Sequence, residues 1–158
     1  MNSRLTVAAH VLGIIAFTER EQQRATTSDE LASSVGTNPV VVRRVLSQLK
    51  QAGLVDSRRG VGGGSILARD PREITMRMVY EAVEERDCAL IGRHAGCVGE
   101  NCQVAPVIAE YLDELYADAE EALLRTLSTV TVDSMSRAVM DRVQRRGALH
   151  RPSTLQAS

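Results

Sequence analysis

The spacing of apolar residues along the chain predicts a mainly α-helical protein with one small β-hairpin. Leu5, Ala8, Leu12 and Ile15 recur at helical intervals, which predicts an amphipathic helix over residues 3–18. Four later stripes predict further helices: Val42, Val45, Leu46 and Leu49; Met76, Val79, Tyr80 and Val83; Ile108, Leu112, Leu115, Ala119 and Ala122, on a long helix of about 103–128; and Val132, Met135, Val139 and Val143.

Start and stop signals place two short helices directly before the hairpin. Thr27 and Glu30 have the spacing of a capping box, in which a hydroxyl and a carboxylate satisfy free backbone amides at a helix start. That helix is predicted to end at Gly36. Asn38 is a suitable cap for the next helix, whose predicted stop is Gly53.

Two short strands are predicted over residues 54–57 and 65–68. The segment between them, Arg58-Arg59-Gly60-Val61-Gly62-Gly63-Gly64, is predicted to be a flexible basic tip. The glycines do not form a phosphate-binding loop, because no Gly-Lys-Ser/Thr follows and the next element is a strand.

Two short helices followed by a basic hairpin are typical of a winged helix-turn-helix that binds duplex DNA. The second helix enters the major groove, and the wing arginines border the minor groove. The alternative is a three-helix bundle with a solvated basic face. The candidate DNA-binding residues are Thr37, Asn38, Val40, Arg43, Arg44, Ser47, Ser57, Arg58 and Arg59.

Charge is distributed unevenly along the chain, although the formal net charge is only −1. Residues 37–75 contain seven basic and three acidic side chains, whereas residues 81–125 contain three basic and 11 acidic ones. The first region therefore favours a polyanion and the second repels it. The acidic side chains of the long helix are interpreted as a solvated face rather than a metal site, since no His or Cys joins them.

Composition narrows the classes of protein that the chain can belong to. Its 158 residues suit one compact domain, or one domain with an extension used for oligomerisation, and no apolar run is long enough to span a bilayer. No cleavage site follows the apolar N-terminal stretch, so we expect a cytoplasmic protein. An aromatic content of 3% disfavours binding of single-stranded bases. The sequence contains neither a nucleophile–base pair nor a cofactor-binding loop that would indicate an enzyme. A protein-binding adaptor is the remote alternative.

Four segments, 2–8, 37–44, 60–64 and 67–69, resemble the Rrf2 family of bacterial winged-helix regulators, of the IscR, NsrR and CymR type. The resemblance extends over about residues 1–125. It implies a homodimer joined through the long helix, which binds a two-fold operator near promoters and usually represses. It also implies base contacts from the helix from Thr37 to Lys50, and wing contacts from Ser57 and Arg59. The chain departs from the family at Ser65, where Tyr is common, and at Val61, where Pro is frequent.

Cys88, Cys97 and Cys102 lie in one predicted loop, and they are all the cysteines of the chain. Disulfides are disfavoured in a reducing cytoplasm, whereas three thiolates and a fourth ligand suit a [2Fe-2S] or [4Fe-4S] cluster. Cluster-binding members of the family carry three cysteines in this loop, with spacings usually nearer five and five. Candidate fourth ligands are His94, Glu100, Asp87 or a residue of a second subunit.

Two other roles for the cysteines stay open. The first is a thiol switch without a cluster, involving Cys102 and Cys97, because the start of a helix favours a thiolate. The second is that the thiols are inert. A regulator that responds to a small ligand is a further alternative.

The predicted organisation has four parts. A winged-helix DNA-binding domain spans residues 1–86, and the cysteine-containing sensor loop spans 87–102. The dimerisation helix and a C-terminal helix occupy 103–146. A polar, disordered tail is expected over 147–158.

Overall fold

The computed structural model describes residues 3–84 and 104–149. Within these ranges it contains helices and one two-stranded antiparallel hairpin, which confirms the predicted fold class. The elements are α1 (Ser3–Gln22), α2 (Ser28–Val35), α3 (Pro39–Gln51), β1 (Val55–Arg58), β2 (Gly64–Leu67), α4 (Met76–Val83), α5 (Val104–Ser128) and α6 (Val132–Leu149). No helix in these two ranges has the length and apolar content that crossing a membrane requires.

The structure corrects three predicted boundaries. Helix α1 continues to Gln22 rather than ending at residue 18, because helix formation persists after the apolar stripe ends. Both strands are displaced by one residue, since Val55 pairs with Leu67 and Arg58 pairs with Gly64. Helix α6 continues to Leu149, three residues beyond its predicted end at residue 146.

The hydrophobic core forms around α1, whose side chains meet residues from α2, α3 and α4. Leu12 and Ile15 of α1 are fully buried together with Leu49 of α3 and Val79 of α4. Val132, at the start of α6, belongs to the same buried cluster. The predicted stripe of α4 is buried throughout, because all its apolar residues face this core.

The chain returns to the core after α5 through two backbone hydrogen bonds. The N–H of Met76 donates to the Val130 oxygen (2.8 Å), and the N–H of Val132 donates to the Ile74 oxygen (2.9 Å). These bonds join the start of α4 to the turn between α5 and α6. Helix α6 therefore lies against α1.

Helix α5 carries a continuous apolar face that nothing in the described part of the chain covers. None of its described residues is buried. Its apolar side chains recur every three or four residues and are about half to two-thirds exposed, for example 52% for Ile108 and 49% for Leu115. We call this surface the α5 apolar face; it consists of Val104, Val107, Ile108, Tyr111 and Leu115.

The predicted capping box of α2 is confirmed and makes stability depend on pH. The Glu30 carboxylate accepts a hydrogen bond from the Thr27 backbone N–H (2.8 Å), and its other oxygen lies 3.0 Å from Arg24. The Thr27 N–H, the Arg24 side chain and the Thr27 hydroxyl lower the pKa of Glu30 to about 2. Because the folded state lowers this pKa, the stabilisation is present above the unfolded value near 4.5 and is lost as the pH falls towards 2.

We expect Glu30→Gln to lower the free energy of unfolding at pH 7 by about 0.5 kcal/mol, since the group is largely exposed. Urea unfolding at pH 7, 5 and 3.5 measures the difference from the wild type, which should narrow as the pH falls. Glu21→Gln, which removes a carboxylate paired with Arg20 on the surface, is the control. A difference that does not change with pH would contradict the assignment.

Candidate nucleic-acid interface

A tight turn sets α2 and α3 in the geometry of a helix-turn-helix. Gly36 adopts a left-handed conformation (φ 69°), which favours glycine, and its N–H donates to the Ala32 oxygen. Asn38 then begins α3, because its side-chain oxygen accepts from the Val40 N–H at 2.8 Å. The local signals for both helices are thus present as predicted, and Pro39 occupies the first position of α3.

Helix α3 divides into a buried stripe and an exposed face. Val42, Val45 and Leu49 are buried and fix the orientation of the helix on the core. Successive helical residues are separated by about 100°, so the line opposite this stripe is the centre of the exposed face. That line consists of Val40, Arg44, Ser47 and Gln51, all of which are exposed.

Arg43 lies beside this central line, on the side of α2. Its guanidinium is 3.5 Å from the Asp29 carboxylate, and both side chains are well exposed. Such an exposed pair is weak. Arg43 is therefore held near the exposed face without being fixed there.

The wing is the β1–β2 hairpin that follows α3, and a closed turn joins its two strands. The Gly63 N–H donates to the Gly60 oxygen at 2.9 Å. A Cβ on Gly63 would lie 2.5 Å from the Arg58 oxygen, so the turn requires glycine there. The predicted tip forms a compact turn, with Arg58 and Arg59 exposed at its start and Val61 fully exposed within it.

Lys50 connects the end of α3 to the wing. Its ammonium lies 3.1 Å from the Ser57 hydroxyl oxygen and 3.3 Å from the Asp56 carboxylate. The Ser57 backbone N–H and then Lys50 lower the pKa of Asp56. The structure therefore brings Ser57, a predicted wing residue, into contact with α3.

Hydrogen bonds from β2 to α1 and to the α1–α2 connection fix the position of the wing on the core. Thr26 and Ser65 exchange two backbone hydrogen bonds of 3.1 and 2.8 Å. The Glu19 carboxylate accepts from the Leu67 N–H at 3.0 Å. Because α1 lies at the centre of the core, these bonds orient the wing relative to α3.

Sequence reasoning did not identify Lys50 as the link between α3 and the wing, nor Asp29 and Glu19 as parts of this surface. Lys50 was detectable, since it lies on the exposed side of α3 directly before the wing. Asp29 and Glu19 have no local signal, because their partners are 14 and 48 residues away in the chain. Thr37 is only half-buried beside the turn, and the Asn38 oxygen is engaged in capping α3.

The predicted cysteine site lies outside the described residues. Cys88, Cys97 and Cys102, with the candidate ligands His94, Asp87 and Glu100, all fall within residues 85–103. In the part of the chain that the structure describes, no group of three His, Cys, Asp or Glu side chains has the arrangement of a metal site. The acidic residues of α5 are included in that statement.

Comparison with known proteins gives one consistent result. Residues 1–138 match the family model Rrf2, described as iron-dependent transcriptional regulator. YwnA of Bacillus subtilis (strain 168), assigned by its name to the HTH-type transcriptional regulators, is 40% identical over 129 residues, which cover 82% of this chain and 91% of YwnA.

Further relatives carry the name IscR, and two of them illustrate the likeness. The HTH-type transcriptional regulator IscR of Pectobacterium carotovorum is 28% identical over 123 residues, covering 75% of this chain and 70% of that protein. The solved structure of T. potens IscR superimposes with a TM-score of 0.66 at 18% identity, covering 88% of this chain and 87% of that one. The second likeness concerns the fold alone.

Proposed function

The chain belongs to the Rrf2 family of transcriptional regulators, and from that premise we propose that it is a sequence-specific repressor of transcription in the cytoplasm, acting as a homodimer on a two-fold operator. Because the family consists of regulators, the expectation that the chain is not an enzyme is confirmed. One observation supports duplex DNA as the ligand: Lys50 joins the exposed face of α3 to a wing whose turn begins with two exposed arginines.

The proposed mode of binding follows from the widths of the two grooves. The major groove accepts a helix, so the central line of α3 faces base edges there. The wing then lies over the neighbouring backbone, where Arg58 and Arg59 neutralise phosphates or enter the minor groove. The acidic side of α5 is repelled by the DNA.

A duplex-binding assay with Arg59→Ala tests this function. Bound sequences are first selected from random duplex DNA, and the affinity for the best sequence is measured by fluorescence anisotropy across a salt series. We expect a loss of about threefold to tenfold in affinity and a reduction of about one in the salt slope. Arg137→Ala, an exposed arginine of α6, is the control. Absent or salt-insensitive binding would favour the adaptor alternative.

The Asp29–Arg43 pair predicts a variant that binds DNA more tightly. In Asp29→Asn, Arg43 loses its carboxylate partner and the surface loses a negative charge. We expect affinity for the selected duplex to rise about twofold to fivefold at 50 mM salt and less at 200 mM, because salt screens exposed charges. Asp141→Asn on α6, which removes the carboxylate of an exposed pair with Arg145, is the matched control. Unchanged or weaker binding would show that Arg43 stays away from the DNA.

The homodimer is supported by two apolar surfaces. One is the α5 apolar face. The other is a groove of about 520 Å³ between α1 and α6, whose lining includes Ile14, Phe17, Met135, Val139 and Met140. In a two-fold dimer each copy offers both surfaces to the other, so an interface of this kind closes on itself. In the proposed dimer, α5 of each copy packs against the other copy. Contact between the copies covers both the α5 apolar face and the groove between α1 and α6.

We further propose that Cys88, Cys97 and Cys102 are the sensor. The donor set fits an iron–sulfur cluster, since three thiolates within 15 residues provide three of four ligands, and the family description is iron-dependent. The fourth ligand is His94, Glu100, Asp87 or a residue of the second copy. When bound, such a group supplies sensitivity to oxidants and to iron supply. The thiols lie in the sequence between α4 and α5, so a change in their state acts on the dimer helix.

A change in the state of the cysteines is proposed to alter the separation of the two α3 helices in the dimer. Operator half-sites lie about one helical turn, ~34 Å, apart, so a small change in the separation of the two α3 helices weakens binding. A thiol switch at Cys102 and Cys97 would act on the same elements.

An anaerobic absorption spectrum with iron and labile-sulfide assays distinguishes the two sensors. Broad absorbance at about 300–450 nm with both elements present supports the cluster. A colourless protein, still iron-free after reconstitution, excludes it and supports the switch if peroxide modifies Cys102 and releases DNA. Serine substitution of all three cysteines, with every oxidant and iron response retained, would exclude both.

A further inference from the structure

Helix α3 and the wing turn, which are proposed to contact DNA, carry exposed valines where a polar surface is expected. Within residues 3–84, the large apolar side chains classed as exposed are Val40 (66%), Val41 (40%) and Val61 (111%). All three belong to the first turn of α3 or to the wing turn. Single exposed valines are common on protein surfaces, but a valine on a face proposed to contact base edges loses its water on binding, and burial there is favourable against an apolar partner.

Of the two exposed valines on α3, Val40 is better placed to contact a base edge. It lies on the central line of the exposed face, whereas Val41 is rotated from it by about 100°. Val40 is also in the first turn, and the N-terminal residues of a recognition helix approach the base edges. Its backbone is fixed, because its N–H donates to the Asn38 cap. A β-branched side chain has few rotamers, so its methyl groups lose little freedom on contact.

The base edges in the major groove offer few apolar partners for such a side chain. Donors and acceptors line most of the groove, and the 5-methyl group of thymine is the apolar feature among the four standard bases. We propose that Val40 recognises the methyl group of one thymine in each operator half-site, an inference that rests on the proposed DNA-binding function. Arg44 and Ser47, on the same line, face the next base pairs along the groove.

A scan with deoxyuridine tests the proposal, because uracil lacks only the 5-methyl group. In the duplex selected from random DNA, each thymine of one half-site is replaced in turn by deoxyuridine, and affinity is measured by fluorescence anisotropy. We expect about a fourfold loss at one position for the wild type, the effect of one methyl group. Val40→Ala is expected to bind the thymine and uracil duplexes equally, within about 1.5-fold.

Two variants serve as matched controls. Val41→Ala changes the neighbouring exposed valine, and Val61→Ala changes the valine of the wing turn. Both are expected to retain the fourfold preference for thymine. Circular dichroism melting of each variant checks the fold, which an exposed substitution leaves intact.

The possible outcomes separate this inference from the proposed function. If the wild type selects no sequence at all, the DNA-binding function fails. If it binds a selected duplex specifically but tolerates uracil at every position, the role of Val40 is wrong while the function stands. A thymine preference that survives in Val40→Ala, or disappears in Val41→Ala, also overturns the assignment to Val40.

Discussion

Replacing both Ile108 and Leu115 with glutamate is expected to convert the proposed dimer into a monomer and to lower operator affinity about a hundredfold or more. Both residues belong to the α5 apolar face and are about half exposed in the single chain. In the proposed dimer each glutamate would lie unpaired in an apolar interface, at a cost of several kcal/mol. A monomer contacts one half-site at a time, which removes the gain from simultaneous binding.

The measurement is molar mass by light scattering, followed by anisotropy with the selected operator. The control carries the same two charges on the opposite side of the same helix, as Ala109→Glu with Ala117→Glu, where both alanines are exposed. We expect the control to stay dimeric and to bind normally. A dimeric Ile108→Glu/Leu115→Glu variant, or one with unchanged affinity, would show that α5 does not join the copies.

Gly64→Ala is expected to displace the wing, lowering operator affinity about tenfold and the free energy of unfolding by about 1–3 kcal/mol. A Cβ at this position would lie 2.6 Å from the Thr26 oxygen and 2.7 Å from its carbonyl carbon. These are backbone atoms, so they cannot move aside as a flexible side chain can. The two hydrogen bonds between Thr26 and Ser65 must therefore lengthen or break, and the wing loses its orientation relative to α3.

Gly62→Ala provides the control for the wing substitution. Gly62 has a left-handed backbone (φ 76°), but a Cβ there meets no atom within 4 Å. That variant carries only local backbone strain, of about 1 kcal/mol, while the contact with Thr26 remains. Thermal melting and anisotropy are measured for both variants. If Gly62→Ala weakened DNA binding as much as Gly64→Ala, wing displacement would not explain the loss.

Signals within one or two helical turns predicted their elements well. The Thr27–Glu30 capping box, the Gly36 stop and the Asn38 cap all depend on neighbours within four residues, so the sequence contains both partners of each bond. The apolar stripe of α4 was equally informative, because helical periodicity is local. The candidate DNA-binding residues within α3 (Val40, Arg43, Arg44 and Ser47) were selected by the same reasoning, as the positions between the buried ones.

Boundaries and supports of the wing were harder to predict. A strand of four residues has little periodicity, and its register depends on the turn that joins it to its partner. The turn at Gly60–Gly63 closes through a hydrogen bond, which set both strands one residue from their predicted positions.

The sequence by itself therefore determined the order of the elements, the capped helices before the wing and the buried stripe of α3. It also determined the excess of basic side chains over residues 37–75. Tertiary structure alone decided how the wing is held by Thr26 and Glu19, how Lys50 joins it to α3, and that α6 returns to α1. The physical reason is distance along the chain. Caps and stripes are satisfied by near neighbours, whereas these contacts join segments that become neighbours only when the core around α1 closes.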